Sequence, residues 1–462
     1  MNKIKIIATI NNSSNSLEVI EKLILNGVDA IKINMNDVNF DDARKIIDSI
    51  KTLNKKLDTG IGIIVEIGEP KLHLGKMNTS SYFKTGDKIR IYTIDTIGDS
   101  TKASINNKEA FNDVFRDNYI YTPHTKLKVY DKGDDYIICE VLSGGDVFSY
   151  DEVYINKEIN APYLRIKDIK DIEFASTMKV DYIMLPHVKS IDDVMQVTDL
   201  LIGLKNDHTS IISKIDSKEA TNNIDEIIKI SEGILIDRNS LSMEIPMERI
   251  PGIQKTIINK SLRSGKVSLV SIDLPDNTPS RIEVQDIANA CLDGVDAILI
   301  NDNINHENLP IKQMKSLESI LKEVEDSIDY EAMLYNANKD EGSDITGMIA
   351  SNVAMTSFKL KCKAIIAPTI TGYTARKISR FRPQAPIIAV SPNMETVTSL
   401  SIHFGIAPVL IDDLASLDKI IKTSESIAAC LIELKHGDKI IITGGYPFKE
   451  TKNTNFMKIE EI

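Results

Sequence analysis

The feature that most constrains the fold is a repeated alternation between short apolar runs and helix-length amphipathic segments. Eight runs rich in isoleucine, valine and leucine follow this pattern: 5–10, 30–34, 61–67, 181–186, 210–216, 233–238, 267–273 and 296–301. Such nearly continuous apolar runs are typical of strands buried on both faces of a parallel sheet. Helix-length segments lie between most of them, for example 16–25 and 286–292. Eight strands that alternate with helices predict a (β/α)8 TIM barrel.

Two regions depart from this alternation and predict further domains. Short strands with alternating polarity, 88–93 and 126–130, and glycine turns at 132–134 and 143–145 indicate a small all-β domain inserted after the third strand. Near the C-terminus, a helix over 345–360 and strands at 364–368, 386–390, 408–411, 439–443 and 456–459 indicate an open α/β domain. The predicted order is barrel (1–75), inserted β domain (76–154), barrel (155–330) and C-terminal α/β domain (331–462).

Charge and cysteine usage exclude several classes of protein. The chain has 55 Lys and Arg against 67 Asp and Glu, a net charge of −12, which argues against nucleic acid as the main partner. No apolar run approaches the 18 residues of a membrane span. The sequence predicts a cytoplasmic protein with reduced thiols, because its cysteines are few and widely spaced: Cys139, Cys291, Cys362 and Cys430.

Polar residues at the ends of the runs mark the candidate site, because barrel active sites lie at the C-terminal ends of the strands. Lys214 and Asp216 are two apart on one strand and so point to the same side. A lysine beside a carboxylate could hold a metal ion and a phosphoryl oxygen together. Barrel mouths are polar in any case, however, and a Lys–Asp pair is more often only an ion pair. The charged and amide residues at these ends are Lys32, Asn34, Asn36, Glu66, Lys214, Asp216, Asp237 and Asp273.

Several stretches carry a family resemblance: ISKID at 212–216, SEGILIDR at 231–238, MEIP at 243–246, RFRP at 380–383 and APIIAV at 385–390. Over essentially its whole length the chain resembles the pyruvate kinase family. The resemblance implies a glycolytic phosphoryl transfer from phosphoenolpyruvate to ADP that gives pyruvate and ATP. It also implies Mg²⁺ or Mn²⁺ and K⁺ as cofactors, a homotetramer, and three regions that match the family's barrel, lid and regulatory domains.

Carried over position by position, the resemblance gives a mixed catalytic site. Lys214 matches the catalytic lysine, and Asp216 stands where the family has a glutamate that binds the divalent metal. Ser240 stands in place of the second metal carboxylate, and Ile272 in place of a threonine that positions the substrate. Lys32 replaces a phosphate-holding arginine and lacks its bidentate fork.

The remaining substrate and potassium positions are similarly altered. Ser213 and Asn239 match substrate-binding positions, but Asn239 replaces a glycine whose backbone approaches the substrate. The potassium site is matched by Asn34, Asn36 and Glu66, with substitutions at the last two. His73 replaces an arginine, and the nucleotide-facing lysine of the lid has no clear match near Tyr150.

Two further sites are predicted. Asp237 and Asp273, with Asp216 and Glu66, could rebuild a cation site, or they are solvated residues of the mouth. In the C-terminal region, a threonine-rich loop before a helix matches the family's loop for the phosphate of a sugar-phosphate effector, and the loop also reads as a well-capped helix start. Its residues are Thr369, Thr371, Gly372, Tyr373 and Thr374.

The sequence therefore leaves two functional hypotheses. The first is a pyruvate-kinase-like protein with eroded metal and phosphate sites, weakly active or inactive, that binds small phosphorylated metabolites or assembles with an intact paralogue. The second is a working pyruvate kinase or an altered phosphotransferase with a rebuilt metal site.

Overall fold

The computed structural model describes residues 2–11, 15–68, 72–78, 81–105, 114–156, 163–274, 279–301, 311–338, 344–412, 426–445 and 453–462. The chain forms two compact units. The first comprises Met1–Gly68, Ile166–Leu241 and Met247–Ile462, and the second comprises Glu69–Arg165 with Ser242–Pro246. None of the described helices combines the length and apolar composition needed to cross a membrane.

The first unit begins with three barrel strands and two helices: β1 (Lys5–Ile10), α1 (Leu17–Leu25), β2 (Ala30–Asn34), α2 (Phe40–Leu57) and β3 (Gly62–Glu66). Both helices begin at capping side chains, since Ser16 accepts the Val19 N–H and Asn39 accepts the Asp42 N–H. The strands are parallel, and Asn34 of β2 lies beside Glu66 of β3 in the register.

The second unit is an all-β domain whose apolar side chains pack into a buried cluster of their own. Its strands are β4 (Leu72–His73), β5 (Ser81–Phe83), β6 (Lys88–Tyr92), β7 (Lys102–Ser104), β8 (Tyr119–Tyr121), β9 (Lys126–Lys132), β10 (Tyr136–Ser143), β11 (Gly145–Val147) and β12 (Glu152–Asn156). Seven of them form one sheet in the order β4-β12-β8-β9-β10-β6-β7. Within this unit the Tyr154 hydroxyl donates to Glu244 Oε1 at 2.9 Å, so the segment 242–246 is tied to the sheet.

The first unit then continues through the rest of the barrel. Its elements are α3 (Ile166–Thr177), β13 (Tyr182–Leu185), α4 (Ile191–Gly203), β14 (Ser210–Ile215), α5 (Lys218–Asn222), α6 (Ile224–Ile230), β15 (Gly233–Ile236), α7 (Arg238–Glu244), a 3₁₀ turn (Met247–Arg249), α8 (Ile250–Arg263), β16 (Val267–Ile272), α9 (Arg281–Leu292) and β17 (Ala297–Ile300). The eight strands close in the order β1-β17-β16-β15-β14-β13-β3-β2. The predicted barrel is confirmed, with strand bounds within two residues of the predicted runs.

One helix is longer than expected. The apolar pattern suggests a helix over 286–292, but α9 begins at Arg281. The cause is a capping box, in which Ser280 and Glu283 satisfy each other's backbone N–H groups and start the helix five residues earlier.

The C-terminal part of the first unit is the predicted open α/β domain. It is preceded by α10 (Ile311–Ser327), which packs against α9 and α1 of the barrel. Its own elements are α11 (Tyr330–Asn338), α12 (Ile345–Lys359), β18 (Ala364–Pro368), α13 (Tyr373–Ser379), β19 (Ile387–Ser391), α14 (Met394–Ser399), β20 (Ile406–Leu410), β21 (Lys439–Gly444) and β22 (Phe456–Glu461). The sheet order is β20-β19-β18-β21-β22, and only β22 runs antiparallel to its neighbour.

Buried polar contacts join the amino-terminal end of the barrel to the segment before β19 and to α14 of this domain. Arg382 binds both carboxylate oxygens of Asp296 at 2.8 and 2.9 Å, just before β17. The Tyr182 hydroxyl donates to the Ser399 carbonyl, and the Thr398 hydroxyl donates to Asp181. The opposite, carboxyl-terminal end of the barrel carries the candidate site.

Candidate active site

Lys214 lies at the centre of the candidate site, near the end of β14. Its ammonium group is 2.8 Å from Asp237 Oδ2 and 3.8 Å from Glu66 Oε1. Burial alone would lower the pKa of Lys214, but the charges of Asp237, Glu66 and Asp216 outweigh it and raise the pKa above its ordinary value. The lysine is therefore held as a cation by carboxylates of the chain itself, and its direct ion pair is with Asp237, not with Asp216 as the two-residue spacing suggested.

A second buried ion pair lies beside it. Lys32 on β2 donates to Glu66 Oε2 on β3 at 2.7 Å, and both side chains are less than a tenth exposed. Glu66 thus lies between two lysines, Lys32 and Lys214. Both cations that match phosphate-holding positions already have a carboxylate partner.

Asp216 takes a different partner. Its Oδ2 accepts the His187 backbone N–H at 3.0 Å, and His187 Nδ1 lies 3.0 Å from the same oxygen. The other oxygen, Oδ1, is buried without a hydrogen-bond partner among the described residues.

Asp237 and Ser240 lie together at the start of α7. The Ser240 hydroxyl donates to Asp237 Oδ2 at 3.1 Å, so the Asp237 carboxylate lies next to the position where the resemblance expects a metal-binding aspartate. The same carboxylate oxygen is the one that contacts Lys214.

Asp273, the other acid proposed for a rebuilt cation site, is bound by amides. Its two oxygens accept from the side chains of Asn239 and Asn301. Ile272, the last residue of β16, is buried. Ser213 is also buried and shares a 2.7 Å hydrogen bond with Ser231, which lies between α6 and β15.

The three residues matched to a potassium site are engaged in the same way. Asn34 Oδ1 accepts the Asn36 N–H at 3.1 Å, and Asn36 Oδ1 accepts from the Lys167 ammonium at 2.6 Å. Lys167 is also 3.3 Å from the Gly68 carbonyl. The Lys167 ammonium group thus donates hydrogen bonds to oxygens of both Asn36 and Gly68.

The donor set does not fit the metal ions that the resemblance implies. Among the described residues, no three acidic, histidine or cysteine side chains lie together in a way that could hold a metal ion. The carboxylates of Glu66 and Asp237 contact lysines, and Asp216 contacts His187. Mg²⁺ needs direct oxygen ligands in nearly octahedral geometry, which these paired carboxylates do not supply together.

His73, expected where an arginine holds phosphate, lies in the second unit. Its Nδ1 is 3.1 Å from the Tyr150 carbonyl.

The threonine-rich loop lies between β18 and α13. Thr369 Oγ1 accepts the Gly372 N–H at 2.9 Å, and Thr374 Oγ1 is 2.7 Å from Thr454 Oγ1, so both hydroxyls have partners inside the domain. Gly372 has φ +76°, and a Cβ there would lie 2.9 Å from Leu400, so the position requires glycine. Thr371 is exposed and Tyr373 half-buried.

Sequence reasoning missed two residues of the site, His187 and Lys167. His187 follows the fourth apolar run, and the rule that points to strand ends would have found it had it been applied to that run. Lys167 lies at the start of α3, beyond the inserted domain, and no local pattern connects it with Asn36.

Comparisons with known proteins agree with this architecture. The family model described as "Pyruvate kinase, barrel domain" matches residues 1–314, and the one described as "Pyruvate kinase, alpha/beta domain" matches residues 347–460. A pyruvate kinase of Clostridium perfringens is 33% identical over 477 aligned residues, covering 100% of both chains. Pyruvate kinases of Staphylococcus saprophyticus and Sporosarcina psychrophila are each 30% identical, covering 99% and 100% of this chain and 80% and 81% of their own.

Proposed function

Because the chain belongs to the pyruvate kinase family, we propose that it keeps the family's fold but has lost most or all of the family's reaction. That reaction is phosphoryl transfer from phosphoenolpyruvate to ADP. In this proposal the protein acts by binding small phosphorylated metabolites, or by assembling with itself or with an intact paralogue in the cytoplasm.

The observation that carries the proposal is the state of Lys214. Its ammonium group is bound to Asp237 and Glu66, and the neighbouring positions expected to complete the site are Ser240 and Ile272. Each charged hydrogen bond lost from a transition state costs about 1.5–3 kcal/mol. Three or four such losses amount to roughly 5–10 kcal/mol, or a rate lower by roughly 10⁴–10⁷.

A pyruvate-release assay tests the proposal directly. The purified protein is incubated with phosphoenolpyruvate, ADP, Mg²⁺ or Mn²⁺, and K⁺, and compared with the Lys214→Ala variant. We expect turnover no greater than that of the variant. Turnover of about 1–10³ per second, abolished in Lys214→Ala, would overturn the proposal.

A second candidate function is an altered phosphotransferase, and one observation favours it. Asp237 places a carboxylate beside Ser240, and Asp216 keeps one buried oxygen without a partner among the described residues. These two acids could share a displaced cation. The same assay distinguishes the candidates, because this one predicts turnover that falls in Asp237→Asn as well as in Lys214→Ala.

A gain-of-function variant shows how far the site has departed from the family. Ser240→Asp combined with Lys32→Arg restores two family residues, a metal carboxylate and a bidentate phosphate-binding guanidinium. Activity gained in this variant would indicate a site that is otherwise still shaped for catalysis. No gain is the outcome we expect, because Lys214 and Glu66 remain paired within the chain.

The binding role is proposed for the loop with Thr369, Thr371, Gly372, Tyr373 and Thr374. Support comes from the exposed Thr371 and from the tight turn at Gly372. We expect a sugar bisphosphate to raise the melting temperature of the protein, and Thr371→Val together with Gly372→Ala to remove that shift. An equal shift in the variant would place the effector elsewhere.

A further inference from the structure

We propose that His187 closes the carboxylate of Asp216 to divalent cations. The inference rests on the proposed function, since it names a residue that keeps the barrel mouth from forming the family's metal site. The position of His187 is not among those that the family resemblance assigns.

Two nitrogen atoms of one residue lie against one oxygen of Asp216. The backbone N–H of His187 and its ring Nδ1 each lie 3.0 Å from Asp216 Oδ2. The backbone N–H donates a hydrogen bond to this oxygen, and the ring nitrogen lies in close contact with the same atom. A metal ion and an N–H donor compete for the same lone pairs, so the hydrogen bond from His187 hinders metal binding at Asp216 Oδ2.

The backbone at His187 is fixed in the conformation that this contact needs. His187 has φ +55°, in the left-handed region that bulky residues rarely adopt. The preceding residue is Pro186, whose ring lies so close to Gly68 that a Cβ on Gly68 would be 2.5 Å from it. The rigid proline and its tight packing hold the strained turn in place.

The His187 ring also controls access to the carboxylate. The Asp216 side chain is 2% exposed, whereas the His187 side chain is 52% exposed. Direct coordination of a divalent ion requires oxygens at about 2.0–2.1 Å for Mg²⁺. A cation from solvent would therefore have to displace the imidazole to bind both oxygens of Asp216.

The length of the acidic side chain contributes to the closure. Asp216 is one methylene shorter than the glutamate of the family, which keeps its carboxylate within reach of the His187 backbone. The next carboxylate, Asp237, is bound to Lys214 and Ser240. Asp237 is therefore not available as a second metal ligand that could favour displacement of His187.

Mn²⁺ binding tests the inference without any enzymatic readout. Free Mn²⁺ is measured by electron paramagnetic resonance in titrations of the unmodified protein, His187→Ala, His187→Gln and, as a matched control, His436→Ala. His436 is an exposed histidine of the C-terminal domain whose ring contacts the Ile462 carbonyl. We expect His187→Ala to bind Mn²⁺ at least about tenfold more tightly than the unmodified protein. His436→Ala should match the unmodified protein, and His187→Gln, which keeps an N–H donor, should lie closer to it.

The outcomes separate the alternatives. Adding Asp216→Asn to His187→Ala should abolish the gain, and a gain that persists would place the ion elsewhere and overturn the inference. Unchanged affinity in His187→Ala also overturns it, and weaker affinity would make His187 a metal ligand. Circular dichroism and the melting temperature show whether each variant is folded. Turnover by the unmodified protein would instead overturn the proposed function, whereas the affinity ratio between His187→Ala and the unmodified protein tests His187 alone.

Discussion

The Asp237 carboxylate contacts both Ser240 and Lys214, so the residue at position 240 affects the charge balance at the barrel mouth. Asp237 precedes α7, and its Oδ1 accepts the Ser240 N–H at 3.4 Å, while its Oδ2 accepts the Ser240 hydroxyl and the Lys214 ammonium. The carboxylate therefore caps a helix and forms the ion pair with Lys214 at once. An acid at position 240 would be placed against this carboxylate.

We predict that Ser240→Asp destabilises the protein through repulsion from Asp237. Two carboxylates about 4 Å apart repel by roughly 1 kcal/mol in water and roughly 4 kcal/mol at the effective dielectric near a protein surface. The double variant Ser240→Asp, Asp237→Ala should recover stability, with a coupling energy of about 1–3 kcal/mol in a double-mutant cycle. Urea denaturation of the four proteins measures this coupling, and additive effects would contradict it.

At the residue scale, the sequence predicted which side chains lie at the mouth but not how they pair. Lys214, Asp216, Asp237 and Glu66 were all found from the ends of their strands. Which of them form ion pairs depends on the register between neighbouring strands and on the length of each side chain. The pattern of residues along a single strand does not determine either. The contact of Asp216 with His187 also depends on a left-handed backbone turn, which nothing in the residue types demands.

The short helix α14 joins the C-terminal domain to the barrel, and its contact with Asp181 is sensitive to pH. Burial raises the pKa of Asp181 to about 6, although the Thr398 hydroxyl, the Ile63 N–H and the charges of His208 and Lys51 oppose that rise. His208 Nε2 lies 3.6 Å from Asp181, and its Nδ1 lies 3.9 Å from Glu395 on α14. The carboxyl group is thus more easily protonated in the folded protein than in the unfolded chain.

A raised carboxyl pKa makes the folded state less stable as the pH rises. The contribution of Asp181 is fully present below its unfolded pKa of 3.8 and is lost as the pH rises through about 6. The shift corresponds to about 3 kcal/mol. We therefore predict that the unmodified protein loses about this much stability relative to Asp181→Asn between pH 4 and pH 7.

Denaturation of both proteins at pH 4.5, 5.5 and 7 measures this difference, in which the other titrating groups largely cancel. His208→Gln serves as a second comparison, because it removes the facing imidazole and leaves Asp181 in place. A stability difference between the unmodified protein and Asp181→Asn that does not change with pH would contradict the prediction.

At the scale of elements, the sequence predicted strands better than helix starts. The barrel strands are continuous apolar runs, because they are buried on both faces, and such runs have clear ends. The start of α9 was missed, because it depends on the reciprocal hydrogen bonds of Ser280 and Glu283 and not on apolar periodicity.

On the scale of the whole molecule, one buried ion pair connects the barrel with the C-terminal domain. Arg382 binds both oxygens of Asp296 and also donates to the Gly294 carbonyl at 2.8 Å. Burial alone would raise the pKa of Asp296, but the charge and hydrogen bonds of Arg382 outweigh it and lower the pKa. Ile402, from the loop after α14, belongs to the same buried cluster as the side chains inside the barrel.

We predict that Arg382→Ala lowers the free energy of unfolding by about 3–5 kcal/mol, because it leaves the buried Asp296 charge without its partner. Arg249→Ala, at an exposed arginine of the 3₁₀ turn, is the matched control and should change stability by less than about 0.5 kcal/mol. Adding Asp296→Asn to Arg382→Ala should recover part of the loss. Equal stability of the two single arginine variants would show that the ion pair does not hold the two domains together.

The barrel cannot close until its last strand has been synthesised. The Thr9 hydroxyl on β1 donates to the Ile300 carbonyl on β17, across 291 residues of chain. At about 5–20 residues per second, a ribosome needs roughly 15–60 s to make the partner that β1 requires. Throughout that interval one edge of an isoleucine-rich first strand has no neighbour and can pair with a strand of another growing chain. If this edge pairs wrongly, we expect it to do so before β17 has been synthesised and not after the barrel has closed.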